Sequence, residues 1–151
     1  MRGTEIAFVE HGQYCLGHPG AVLPFLEPGA PANRLLLPSA SDQGGVVVQT
    51  GTIDGPVSVT VETFDQPPAT APDGAEWERV EDLVAVSKGD RLLAVVEADM
   101  LEDVPEFAVA PGDRYHVRLS VRGFDAGRAA HTLDTDDEPV EHHLVQLWQE
   151  P

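Results

Sequence analysis

Apolar and polar residues alternate at period two over Tyr115-His116-Val117-Arg118-Leu119-Ser120-Val121-Arg122. Tyr115, Val117, Leu119 and Val121 fall on one side of this run. Arg114, His116, Arg118, Ser120 and Arg122 fall on the other, the pattern of a strand with one buried and one wet face. The turn Pro111-Gly112-Asp113 precedes the strand and Gly123 ends it. Residues 57–64 repeat the pattern, with Val57, Val59 and Val61 opposite Ser58, Thr60 and Glu62. Shorter apolar runs between turn residues predict further strands at 5–9, 13–16, 34–37, 46–50, 78–87, 91–97, 107–110 and 141–149. His11-Gly12 predicts a hairpin between the first two of these. Lys88-Gly89-Asp90 predicts the clearest hairpin of the chain, joining 78–87 to 91–97.

Other stretches lack a period. Residues 17–32 carry Gly17, Pro19, Gly20, Pro24, Pro28, Gly29 and Pro31 and read as a long loop. Residues 66–75 read as a connection across the domain, 98–106 admit one helical turn, and 123–137 read as a polar loop. No amphipathic crossover helix is visible, which argues against a βαβ architecture. Nine or ten short strands with little helix predict an all-β fold, an antiparallel β-sandwich in preference to a barrel. At 151 residues with no linker or repeat, the expectation is a single β-sandwich domain over residues 1–151.

Charge changes the picture more than composition does. The chain carries a net charge of −17, spread as −2 over residues 1–50, −8 over 51–100 and −7 over 101–151. Such a field repels nucleic acid and anionic membranes and favours basic partners or cations. It is equally what solubility in a salt-adapted cytosol demands, and a single lysine beside eight arginines fits codon bias. No apolar run reaches the ~18 residues of a membrane-spanning helix. The N-terminus lacks the layout of a signal peptide, so a cytoplasmic location is expected. One cysteine excludes an internal disulfide framework.

Candidate chemistry is sparse. Cys15 lies between His11 and His18, but along a strand positions 11 and 15 are ~13 Å apart, too far for a nucleophile and its base. His131, Asp134, Asp136, Asp137, Glu138, His142 and His143 form the densest set of metal-ligand types. Their spacing lacks the glycine and later glutamate of a calcium loop. His142 and His143 would face opposite ways on a strand, so a solvated acidic loop is the plainer reading. The arginine ladder suits an anion or, in so acidic a chain, cross-strand carboxylates worth ~0.2–1 kcal/mol each. Trp77 and Trp148 are expected in the core. Glycine-rich phosphate cradles and nucleophile elbows are absent.

Several pieces of the second half go together: Trp77-Glu78-Arg79-Val80-Glu81-Asp82, the turn around Ser87-Lys88-Gly89, Pro111-Gly112-Asp113-Arg114-Tyr115-His116-Val117-Arg118, and 141–148 ending Val145-Gln146-Leu147-Trp148. Over roughly residues 76–149 the chain resembles the competence protein J family of nuclease inhibitors, small bacterial β-sandwich proteins. The resemblance implies inhibition of a partner nuclease by a non-catalytic protein. It transfers no site residue, and residues 1–75 resemble no family.

The expectation is a non-enzymatic acidic binding protein, an inhibitor or immunity protein for a basic nuclease or toxin. It needs no cofactor and contacts its partner through Asp134, Asp136, Asp137 and Glu138, with Glu81 and Asp82, flanked by Glu76 and Glu78. Two alternatives stand beside it. One is a structural or regulatory sandwich that pairs strands with itself as a homodimer. The other is a metal-binding domain or metal-dependent enzyme using the 131–143 cluster.

Overall fold

The computed structural model describes residues 1–19, 34–39, 44–68, 77–96 and 99–151. Eleven strands and one short helix occur among them. The first sheet has the order β1-β5-β11-β10-β6, with β1 at Arg2–Val9, β5 at Gly55–Phe64, β11 at His142–Gln149, β10 at Arg114–Arg122 and β6 at Arg79–Val86. The second has the order β3-β4-β2-β7-β8, with β3 at Leu36–Pro38, β4 at Val46–Gln49, β2 at Gln13–Gly17, β7 at Arg91–Val96 and β8 at Asp99–Met100. A two-residue β9 at Phe107–Ala108 also pairs with β7. The fold is all-β and its pairing is antiparallel, except that β11 runs parallel to β5.

The alternation in the sequence maps onto the gap between the sheets. Tyr115, Val117, Leu119 and Val121 of β10 are all at most 1% exposed. They join Val57, Val59 and Val61 of β5 and Tyr14, Leu16, Val46, Val48 and Leu92 of the opposite sheet in one apolar cluster. Non-directional burial of these side chains is the main force holding the sheets together.

Both predicted hairpins are something else. The His11-Gly12 turn reverses the chain with positive φ at both residues, 58° and 68°. It then hands the chain from β1 in one sheet to β2 in the other. The turn at Lys88-Gly89-Asp90 likewise passes from β6 to β7 across the sandwich. Turn chemistry fixes the reversal but not which sheet receives the next strand. The receiving sheet is set by burial: every residue of β2 is buried, as a central strand requires.

Three smaller expectations also change. Residues 123–137 contain α1, Phe124–Ala130, which rests Phe124 and Gly127 on the end of the sandwich. Residues 99–106 hold no helical turn; their regular part is β8. Trp148 is 5% exposed but lies on the outer face of the first sheet, where register pairs it with His116. Its ring stacks on that imidazole at 5.2 Å and 9° and not on the inter-sheet core. Most of the predicted loop 17–32 and connection 66–75 lies outside the described residues.

Candidate partner-binding surface

The arginine ladder is occupied. Arg114 Nε meets Glu150 Oε2 at 2.8 Å, and Arg118 Nε donates to Asp82 Oδ1 at 2.9 Å across the β10–β6 pair. Arg118 also lies 5.3 Å from the Trp148 ring and Arg122 5.5 Å from that of Trp77. The ladder therefore stitches β6, β10 and β11 together, the cross-strand role expected for two of its three arginines.

β6 separates the two acidic residues predicted on it. Alternation turns Asp82 to the outer face, where it is exposed and paired with Arg118. Glu81 turns inward, toward the edge where β6 meets β3 of the other sheet. Its carboxylate accepts the N–H groups of Leu35 at 2.8 Å and Leu36 at 3.1 Å and meets Arg79 Nη2 at 3.0 Å. Glu81 thus closes one side of the sandwich, and little of its charge faces solvent.

Asp134, Asp136, Asp137 and Glu138 sit elsewhere. The segment after α1 is tied to the start of β5, since Ile53 N–H donates to the His131 carbonyl at 2.9 Å and Leu133 N–H to that of Asp54 at 2.9 Å. All four side chains are exposed. Asp137 Oδ2 accepts from Asp134 N–H at 2.8 Å, which shapes the turn. No ion pair to any of the four occurs among the described residues. β5 and β6 are three strand spacings apart, about 14 Å, so the loop and the β6 acids do not form one patch. Glu78, at the foot of β6, accepts from Gly123 N–H at 2.9 Å; Glu76 lies outside the described residues.

The histidines diverge. His131 is exposed behind α1 with φ 65°. His142 faces outward opposite Arg122; partial burial, then that guanidinium, lowers its pKa below the ordinary 6.5. His143 points into the core. The described residues hold no group of three or more His, Cys, Asp or Glu placed to grip a metal ion.

His143 belongs to a buried polar strut that the sequence pattern did not reveal. Its Nε2 lies 2.5 Å from Glu141 Oε2 and its Nδ1 2.8 Å from the Tyr14 hydroxyl. A carboxylate only accepts, so Nε2 donates to it, and in the neutral ring Nδ1 accepts from Tyr14. Glu141 also takes the N–H groups of Gly51 at 3.0 Å and Thr52 at 2.8 Å. Glu141 is 0% exposed, Tyr14 1% and His143 2%. The strut links β2, β11 and the β4–β5 connection, and burial, then the Glu141 charge, holds the Tyr14 hydroxyl well above its ordinary pKa. The one sequence signal was a Glu and a His two apart on a strand, which places both on one face.

With this geometry in hand, the chain can be set beside known proteins. No protein-family model matches it, and no curated protein is similar to it in sequence. Solved structures do match. The crystal structure of ComJ, inhibitor of the DNA degrading activity of NucA, from Bacillus subtilis, covers 97% of this chain and 95% of its own, with a TM-score of 0.61 at 7% identity. Crocagin biosynthetic gene J covers 100% of this chain and 98% of its own, with a TM-score of 0.57 at 17% identity. The chain has the ComJ fold. A coverage of 97% takes in both halves of the chain, the first of which resembled nothing by sequence alone.

On this ComJ-like frame Cys15 is not a nucleophile in waiting. It faces away from the inter-sheet core beside Val47, 8% exposed, and burial pushes its thiol pKa up to about 11. His18 is engaged separately, with Nδ1 2.7 Å from the Arg91 carbonyl and Nε2 accepting from Lys88 N–H at 3.1 Å. Burial likewise pushes Tyr115 up to about 12. Folded-state pKa values above the unfolded ones mean stability that is complete below pH 9.0 and lost as pH rises through about 11 and 12. Urea midpoints are therefore expected to fall between pH 9 and 12, and native Cys15 to resist a thiol reagent until the chain unfolds. A thiol that reacts at pH 8 as fast as a free cysteine would contradict this burial.

Proposed function

We propose that the protein is a non-catalytic binding protein that inhibits a basic, nuclease-type partner, with the loop Asp134, Asp136, Asp137 and Glu138 as its main electrostatic contact. The observation that carries this reading is the loop itself: four exposed carboxylates without counter-charges, on a fold also found in a nuclease inhibitor. A nuclease site is built to receive phosphate oxygens, and carboxylate oxygens offer similar charge and hydrogen-bond acceptors. Uncompensated charge steers a basic partner, whereas Glu81 and Asp82 already hold cations of their own chain. Glu81 and Asp82 thus contribute less to contact than the loop.

The test is the loop variant D134N/D136N/D137N/E138Q. Asparagine at 137 keeps an acceptor for Asp134 N–H, so the fold is expected to stay intact. At low ionic strength the association rate with the partner is expected to fall about tenfold and its salt dependence to flatten. Unchanged rates at low salt would remove the loop from the interface.

A further inference from the structure

Ile6 and Phe8 are 46% and 49% exposed on the outer face of the first sheet. The inward positions next to them, Ala7 and Val9, are buried in the core, so β1 is apolar on both faces. Its neighbour β5 carries Ser58, Thr60 and Glu62 on the same outer face. Thr63 N–H donates to the Met1 carbonyl, which makes the odd positions of β1 the hydrogen-bonded pairs with β5. Phe8 and Pro56 therefore meet as a non-hydrogen-bonded pair, the kind whose side chains come closest. Val140 joins them from the other side of β5. Glu141 turns inward to the strut, so Val140 turns outward, 38% exposed, and Ser58 N–H donates to the Glu141 carbonyl at 3.1 Å.

A lone exposed apolar residue needs no explanation, but a cluster rimmed by polar groups marks a contact surface. The rim here is acidic. The chain leaves β5 at Leu133, whose N–H donates to the Asp54 carbonyl, and returns at Val140. The loop with Asp134, Asp136, Asp137 and Glu138 thus starts and ends beside the cluster. Glu10 continues the outer row of Ile6 and Phe8; it is exposed and makes no ion pair among the described residues.

We infer that Ile6, Phe8 and Val140, packed over Pro56, form the apolar half of the partner contact, a seat for an aliphatic or aromatic side chain ringed by lysine or arginine on the basic partner. The inference rests on the proposed inhibitor reading and adds a second surface that the same partner covers. Charge complementarity selects this occupant: Glu10 and the loop carboxylates flank the cluster without counter-charges, so the seat favours a basic rim around the inserted side chain. A second copy would instead bring these acids face to face between chains of net charge −17. The two halves act on different steps. Exposed charge sets the rate of approach, and desolvated apolar contact sets how long the complex lasts.

The test uses the nuclease that co-purifies with the wild-type protein from the source cell at low salt, and reads association and dissociation separately. In I6T/F8T, threonine keeps the strand propensity while removing the apolar seat. Its dissociation is expected to be about tenfold faster, with the association rate and its salt dependence unchanged. If the urea midpoint of I6T/F8T drops, V140T, which keeps the shape of valine, carries the test, with dissociation expected about threefold faster. Phe8→p-benzoylphenylalanine is expected to photolabel a nuclease segment in which an apolar residue lies among lysines or arginines. Unchanged dissociation while the loop variant still slows association would overturn the seat and leave the inhibitor reading standing. Recovery of no nuclease with the wild-type protein would overturn both.

Discussion

Replacing Glu141 by alanine is expected to destabilise the fold by about 3–5 kcal/mol. The substitution strands three donors at once, the N–H groups of Gly51 and Thr52 and Nε2 of His143, in a place where no water reaches. Each buried donor without an acceptor costs roughly 1–3 kcal/mol, and the small side chain adds a cavity. Glu141→Gln is expected to cost less, because one amide oxygen still accepts while its NH₂ group confronts a donor. Urea unfolding of the three proteins measures the series, read as a shift of midpoint at constant slope. Equal stability of wild type and the alanine variant would mean that the strut carries no weight and that the inter-sheet apolar cluster alone holds β2 to β11.

The second large effect is expected at Gly123. This residue caps α1 with φ 76° and leaves no room for a side chain, because a Cβ would run into the Val140 carbonyl oxygen. The left-handed conformation costs a non-glycine residue about 1–2 kcal/mol and the overlap with backbone about 1–3 more. Gly123→Ala is therefore expected to lose about 2–5 kcal/mol and to loosen α1 and the segment that ends at Glu141. Gly112 is the internal control. Its φ is 88°, but a Cβ there meets nothing within 4 Å. Gly112→Ala should show the conformational cost alone, near 1 kcal/mol. Thermal melts of the two variants separate strain from collision; similar losses would show that the close approach to Val140 relaxes freely.

The two glycines illustrate what the sequence does and does not make legible. A glycine after a strand announces a turn, and both positions read correctly as strand ends. The need for empty space at Gly123 comes from Val140, far along the chain, and no local pattern contains it. The same division runs through the fold. Alternation exposed β5 and β10 and the face each buries, because period two is a property of neighbours in sequence. Sheet membership was not legible: β1–β2 and β6–β7 look like hairpins, yet each turn crosses the sandwich to reach the partners that bury the next strand. The helix α1 hid in a polar stretch, with Phe124 and Gly127, three apart, as the residues it buries and Ala126, Ala129 and Ala130 on its exposed side. Trp148 was assigned to the core by its size, and the outer face holds it through His116 and Arg118.

The candidate site divides along similar lines. The acidity of residues 134–138 was plain from composition, and their exposure follows from it. Glu81 and Asp82 read as one acidic pair, but strand alternation sends one inward to bind Leu35 and Leu36 and the other outward to Arg118. Glu141 opens the predicted strand 141–149 with nothing local to set it apart from the chain's other acids, and it is wholly buried. Charge in a sequence is a sum over residues, whereas charge available to a partner is what remains after internal pairs are removed. In this chain the loop after α1 is what remains most clearly.

The most direct test of the central claim is paired affinity capture at low salt from the source cell, with wild-type protein and the D134N/D136N/D137N/E138Q variant as baits. The predicted result is a basic protein that binds the wild type, leaves at modest salt and is missing from the variant. Its DNA-degrading activity should be suppressed when wild-type protein is added back. Identical captures by both baits, or a captured partner whose nuclease activity is unaffected by the wild type, would contradict an inhibitor that works through its acidic loop.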